Sequence, residues 1–266
     1  MSVTRRRTIE GRKAWEKRYR DDGRIRRRVG LRALDSVARR LGMAALRPPP
    51  HYAGGSALEV EARRLRTLRA QGVRVPEVLS EADGALCISD MGRTLAAQLR
   101  EAAGDAAATD ALTRAAVSAI VAAHARGAYL GQPLPRNITW GAGGIGFLDF
   151  EEDPLEVMTL EQAQARDWVL FAFGMSKYYD RRPEALADII SESIRSAPGE
   201  VTRHVRRVGE RLRRFGLAIR WLGRSARALA HSILVIHAAT TWTLLMALLL
   251  VDWISDGDLD IVDFLF

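Results

Sequence analysis

Apolar and polar positions alternate or recur at helical spacing along much of the chain, and the change between the two periods marks its elements. Residues 14–19, A-W-E-K-R-Y, alternate loosely around two aromatics, which predicts an edge or half-buried strand. Leu31, Leu34, Val37, Ala38 and Leu41 fall on one face of a helix over residues 30–46, and Pro48, Pro49 and Pro50 end it because consecutive prolines cannot continue a helix. A second helix is expected over residues 58–71, with Ser56 as its N-cap and Gly72 closing it. Two strands follow, residues 73–79 and Ala85–Ser89, around the turn Glu81-Ala82-Asp83-Gly84. Residues 96–125 are Ala-rich and helical in period but broken at Gly104-Asp105, so they read as two helices. Residues 162–178 are helical again.

Between these helices, residues 124–153 read as a helix end, a loop with two prolines, Asn137, a Gly-rich turn and a short apolar strand ending in Asp149. That layout would bring an amide oxygen from the loop and a carboxylate from the strand end to one spot. Both are hard oxygen ligands of the kind Mg²⁺ takes when it also holds phosphate.

Composition narrows the classes. The 266 residues suffice for one large or two small domains, and 48% apolar with 27% charged describes a globular chain. The net charge of +8 suits an anionic partner: a nucleotide, nucleic acid or an acidic membrane face. Residues 1–50 hold sixteen Lys or Arg against five Asp or Glu, but aromatics are sparse and no helix-turn-helix or zinc pattern follows, which weighs against nucleic acid. The single cysteine, Cys87, excludes a disulfide framework and reads as a small buried side chain. The Arg-rich start lacks an apolar segment behind it, so no signal peptide is expected and the catalytic region should face the cytoplasm.

The last third changes character. Residues 203–227 carry nine Arg and one Glu, and residues 232–251 are uncharged and near the ~20 residues needed to cross a bilayer. Trp253 follows, and five Asp with no basic residue lie from Asp252 onward. Basic before and acidic after predicts a C-terminal tail anchor on the cytoplasmic face of the inner membrane. The alternative is a buried helix in a cytoplasmic protein.

In the central stretch the chain resembles the protein-kinase-like superfamily, and within it the compact lipopolysaccharide-kinase or aminoglycoside-phosphotransferase type. There a base Asp is followed five residues later by a metal-binding Asn, then a strand and D-F-G. Asn137 matches the Asn, and Asp149-Phe150-Glu151 matches D-F-G with Glu for Gly. The base position is Gln132, which can orient a hydroxyl but cannot take its proton.

The resemblance implies an α+β, two-lobed fold with a hydrophobic C-terminal helix. It also implies ATP and Mg²⁺ as cofactors, Asn137 and Asp149 as metal ligands, and an unidentified acceptor, a sugar or lipid-linked sugar being favoured. Lys17 would hold phosphates, with Lys13 its competitor. Glu61, in an E-A-x-x-L helix ending in G-V-x-V-P, would pair with that lysine, with Glu59 in reserve and an exposed carboxylate near Arg64 as the alternative. Asp90, Met91 and Gly92 would contact adenine at the hinge; His124 would close the helix before the loop; Asp167, eighteen residues after Asp149, would brace it. That interval leaves no room for a long activation segment. The implied division is a basic arm over 1–7, an N-lobe over 8–92, a C-lobe over 93–200, the Arg-rich segment over 201–231, the apolar helix over 232–254 and the acidic tail over 255–266. A pseudokinase that binds and does not transfer is the second expectation.

Overall fold

The computed structural model describes residues 2–9, 11–19, 47–50, 52–82, 84–195, 199 and 203. The helix expected over 30–46, the Arg-rich segment beyond Arg203, the apolar stretch 232–251 and the acidic tail lie outside the described residues. The described residues fall into two units: 2–9, 11–19, 49–50, 52–82 and 84–156 belong to one, and 47–48, 157–195, 199 and 203 to the other. The architecture is α+β, with small antiparallel sheets and several helices.

In the first unit, β1 (Ser2–Ile9) and β2 (Arg12–Tyr19) form a hairpin around Gly11, whose φ of 76° suits glycine. With β3 (Val78–Ala82) and β4 (Ala85–Ser89) they make a four-stranded antiparallel sheet ordered β1-β2-β4-β3. Of the two readings of this stretch, edge or half-buried, β2 takes the second: it is an inner strand with buried and exposed residues, and the residues expected to form a basic arm supply the edge. An arginine-rich strand is compatible with that place, because exposed charges on an edge discourage further pairing. Two of its arginines are tied to β2: Arg7 donates to the Glu16 carboxylate at 2.6 Å, and the Arg6 guanidinium lies 5.2 Å from the Trp15 ring centroid.

Helix α1 (Gly54–Ala70) packs on β2, β3 and β4. Ala57, Val60, Glu61, Arg64, Leu65 and Leu68 form its buried stripe at helical spacing, so two charged residues are carried inward with the apolar ones. Ser56 is not the cap. The chain is extended at Ala53 and turns through Gly54 at φ 55°, so the helix begins before Ser56 is reached. Residues 73–77, expected in a strand, stay outside the ladder; the Arg74 carbonyl accepts instead from Phe147 N at 3.0 Å. Cys87 is half-buried on β4 rather than buried.

A second antiparallel sheet, ordered β5-β6-β7, comprises β5 (Arg93–Thr94), β6 (Ile138–Gly141) and β7 (Gly144–Phe147). Helices α2 (Leu95–Glu101) and α3 (Ala106–Ala125) are separate, as the Gly104-Asp105 break predicts. Thr94 caps the first, and Asp105 caps the second by accepting from Ala108 N. Among the described residues α3 is the one helix long and apolar enough to cross a membrane. Its buried residues Thr109, Thr113, Ala116, Ile120 and Ala123 recur at the spacing of a core helix.

The second unit contains α4 (Leu160–Ser176), opened by a capping box between Thr159 and Gln162, and α5 (Pro183–Arg195). Trp168 and Phe171 meet edge-on in α4, with ring centroids 6.4 Å apart.

Candidate functional site

The site is assembled around Lys17 on β2. Its Nζ lies 2.7 Å from Glu61 Oε2 on α1, and 2.9 Å from both Asp149 Oδ1 and Glu151 Oε1, which follow β7. Among the described residues, the carboxylates of Glu61, Asp149 and Glu151 stand within 4.8 Å of one another, close enough to share one cation, and the Lys17 ammonium is that cation. Burial opposes the lysine's charge, but the three carboxylates outweigh it and raise its pKa above the ordinary lysine range. The Tyr19 hydroxyl also donates to Glu61 Oε2.

Glu61 is only 1% exposed. Burial pushes its carboxyl pKa up, against the lowering pull of Lys17 and Tyr19. Tyr19 is raised by burial and by Glu61. Lys17 and Glu61 are thus each other's partners, whereas their competitors Lys13 and Glu59 are exposed. Nor is Arg64 the partner of Glu61. It donates to the Tyr129 carbonyl at 2.7 Å, stacks 3.7 Å from the Tyr129 ring centroid, and lies 5.8 Å from that of the buried Phe150.

Asp149 sits in the left-handed region at φ 69°, the one non-glycine residue with a positive φ among those described. Such a conformation costs ~1–3 kcal/mol, is best tolerated by Asp and Asn, and clusters at functional sites. The strain turns the chain sharply after β7, and Asp149 and Glu151 both reach Lys17 from it.

The loop before β6 is stitched to this turn. Asn137 closes a short 3₁₀ turn, Pro135–Asn137, where it is 6% exposed. Its Nδ2 donates to the Gln132 carbonyl at 3.1 Å, and its own carbonyl accepts from Leu148 N at 2.7 Å. Asn137 and the residue preceding Asp149 are thus hydrogen-bonded neighbours. Gln132 directs its Nε2 to Glu152 Oε2 at 3.1 Å. His124 is buried in the last turn of α3, where its carbonyl accepts from Gly127 N at 3.0 Å.

Asp90, Met91 and Gly92, expected to form a hinge, lie between β4 and β5. Asp90 Oδ1 accepts from Trp15 Nε1 at 3.3 Å and from Gly92 N at 3.0 Å, while Asp90 N donates to the Lys13 carbonyl at 3.1 Å. The backbone N–H groups of Asp90 and Gly92, expected to meet adenine, are engaged within the chain. Met91 is buried, and Gly92 adopts φ 91°. A cavity of about 460 Å³ adjoins this region, lined by Arg6, Arg7, Thr8, Lys13, Ala14 and Asp90; Lys17 and its carboxylates are not part of its wall. Asp167 belongs to the second unit and is fully buried midway along α4 rather than at its start.

Three residues escaped sequence reasoning: Tyr19, Glu151 and Glu152. Tyr19 was visible in principle, since it lies two residues after Lys17 and so on the same face of the strand. Glu151 departs from the Gly of the resembling motif, and its spacing does not mark it as a carboxylate that reaches Lys17. Glu152 carries no spacing signal.

The fold and the site define an α+β protein in which one buried lysine is bound by carboxylates from a helix and from a strained turn. No protein-family model matches the chain, and no curated protein matches it.

Proposed function

We propose that the chain is a protein-kinase-like phosphotransferase using Mg²⁺-ATP. The observation that carries this reading is the convergence of Lys17, Glu61 and Asp149 from a strand, a helix and a loop distant in sequence. In it the four-stranded sheet with α1 serves as the small lobe, and the helical lobe begins at β5 and α2. Lys17 supplies positive charge to the phosphates, and Glu61, braced by Tyr19, fixes its direction.

The donor set at Asn137 and Asp149 fits Mg²⁺, since both side chains offer hard oxygens and Asn137 commits its amide nitrogen to Gln132, turning the oxygen away from that bond. When bound, the metal would neutralise charge on the phosphates. Gln132 orients the acceptor, and the buried His124 closes the helix that leads into the loop. The acceptor is a polar hydroxyl compound, a sugar or lipid-linked sugar, met at the cytoplasmic membrane face if residues 232–251 form the anchor that their composition suggests.

The test is ATP turnover with Mg²⁺ by the purified full-length protein in detergent, beside Asp149→Ala. Turnover that the variant lacks supports the enzyme; turnover that the variant keeps removes Asp149 from the chemistry.

A second reading rests on Gln132 itself: a pseudokinase that binds nucleotide and transfers nothing. Mg²⁺-ATP binding by the wild type without turnover would favour it.

A further inference from the structure

We infer that Glu152 is the proton acceptor of this site, the role that the neutral amide of Gln132 cannot fill. The inference rests on the phosphotransferase reading above and deepens it by naming the group that activates the attacking hydroxyl.

The three consecutive carboxylates after Phe150 have different destinations. Glu151 turns to Lys17 at 2.9 Å. Asp153 accepts from the Tyr129 hydroxyl and pairs with Arg63 at 3.1 Å. Glu152, between them and only partly exposed, meets Gln132 Nε2 at 3.1 Å. A carboxylate thus stands within one hydrogen bond of the side chain that occupies the loop's acceptor-orienting position.

The placement is held by short backbone and side-chain bonds. Asn137 Nδ2 holds the Gln132 carbonyl at 3.1 Å, and Leu148 N holds the Asn137 carbonyl at 2.7 Å. Loop and turn therefore keep a fixed register, with Gln132 and Glu152 on their two sides. The amide grips one carboxylate oxygen and fixes the plane of the group, a positioning role that a glutamine performs well. The carboxylate supplies the basicity that the amide lacks.

The acceptor O–H bond breaks, its proton passing to the Glu152 carboxylate, while the acceptor oxygen bonds to the γ-phosphorus. The bond from that phosphorus to the β,γ-bridging oxygen breaks, its electron pair leaving on ADP. Glu152 then returns the proton to solvent. With water as the acceptor, the products are ADP and inorganic phosphate.

Water and Mg²⁺-ATP make a sufficient probe. Full-length wild type, Glu152→Gln, Glu152→Asp and the double variant Gln132→Asp/Glu152→Gln are compared for phosphate release and for Mg²⁺-ATP affinity. A positioned general base contributes about 100- to 10,000-fold. Glu152→Gln should therefore lose at least about 100-fold in kcat while binding Mg²⁺-ATP as the wild type does. Glu152→Asp should keep part of the rate, and the double variant, with its carboxylate moved to position 132, should regain part of it. A Glu152→Gln enzyme at the wild-type rate overturns the assignment and leaves the phosphotransferase standing. A wild type that neither binds nor turns over Mg²⁺-ATP overturns that reading, and the base with it.

Discussion

Lys17 and Glu61, 44 residues apart in the chain, meet through a 2.7 Å ion pair, with side chains 10% and 1% exposed respectively. A pair so placed is strongly asymmetric in its energetics. Replacing both partners by apolar groups of similar shape costs little, whereas removing one strands the other charge in a medium that cannot solvate it. Lys17→Met is therefore expected to destabilise the protein by about 3–5 kcal/mol, and the added change Glu61→Leu should recover much of the loss. Urea unfolding of the two variants and the wild type measures this. A single variant as stable as the wild type would mean that Glu61 has another adequate partner.

The pH dependence of the same pair follows from the direction of the shift. Lys17 is raised in the folded state, so its contribution is fully present below the unfolded lysine value of about 10.4 and is lost as pH rises past it toward the folded value. The stability gap between wild type and Lys17→Met/Glu61→Leu should hold steady from about pH 8 to 10 and narrow above that. Glu61, also raised, acts at the other end: its share is present below about pH 4.3 and lost as pH rises through its folded value. Denaturation midpoints across the alkaline range test the first limb. A gap that narrows well below pH 10 would contradict the upward shift of Lys17.

Much of this arrangement was legible in the sequence, and the limits have physical causes. The Lys17–Glu61 pair could be named from the resemblance to kinase-like proteins, whereas spacing alone left an exposed Glu61 beside Arg64 as good a reading. The break between α2 and α3 could be read because Gly104 suits a left-handed turn, at φ 92°, and Asp105 is a good cap for the helix that follows. Edge and centre could not be told apart: β1 is an edge strand made mostly of exposed polar residues, and alternation at β2 is the same whichever side is paired. The start of α1 was misplaced because Ser56 is a good cap by type, yet the backbone turns at Gly54. Glu151 and Glu152 were hidden because their directions depend on the left-handed turn at Asp149, which no periodicity encodes.

Gly146 tests how tightly β7 is held against Met91 and Arg74. A Cβ there would lie 3.1 Å from the Arg74 carbonyl oxygen and would collide with the Met91 methyl. The methyl can swing away, but the carbonyl is fixed by its bond to Phe147 N at 3.0 Å. Gly146→Ala is expected to cost about 1–3 kcal/mol by overpacking. Because Met91 is an expected adenine contact and Phe147 precedes the turn at Asp149, the proposed function has Mg²⁺-ATP affinity weaken with it. Calorimetric titration alongside thermal unfolding separates the two effects, and an unchanged melting temperature would show that β7 can move.

The left-handed turn at Asp149 allows stability and chemistry to be separated at one position. Both Asp149→Ala and Asp149→Gly remove the carboxylate that meets Lys17 at 2.9 Å, so both should lose Mg²⁺-ATP binding to the same extent. They differ in the backbone. At φ 69° alanine keeps a Cβ against the following carbonyl, which costs roughly 1–2 kcal/mol, while glycine does not. The glycine variant should thus be more stable than the alanine variant by about 1 kcal/mol, glycine's greater unfolded-state entropy offsetting part of the relief. Equal stability of the two variants in urea would mean that the turn relaxes once the carboxylate is gone, and that the bond to Lys17 is what holds Asp149 in its strained conformation.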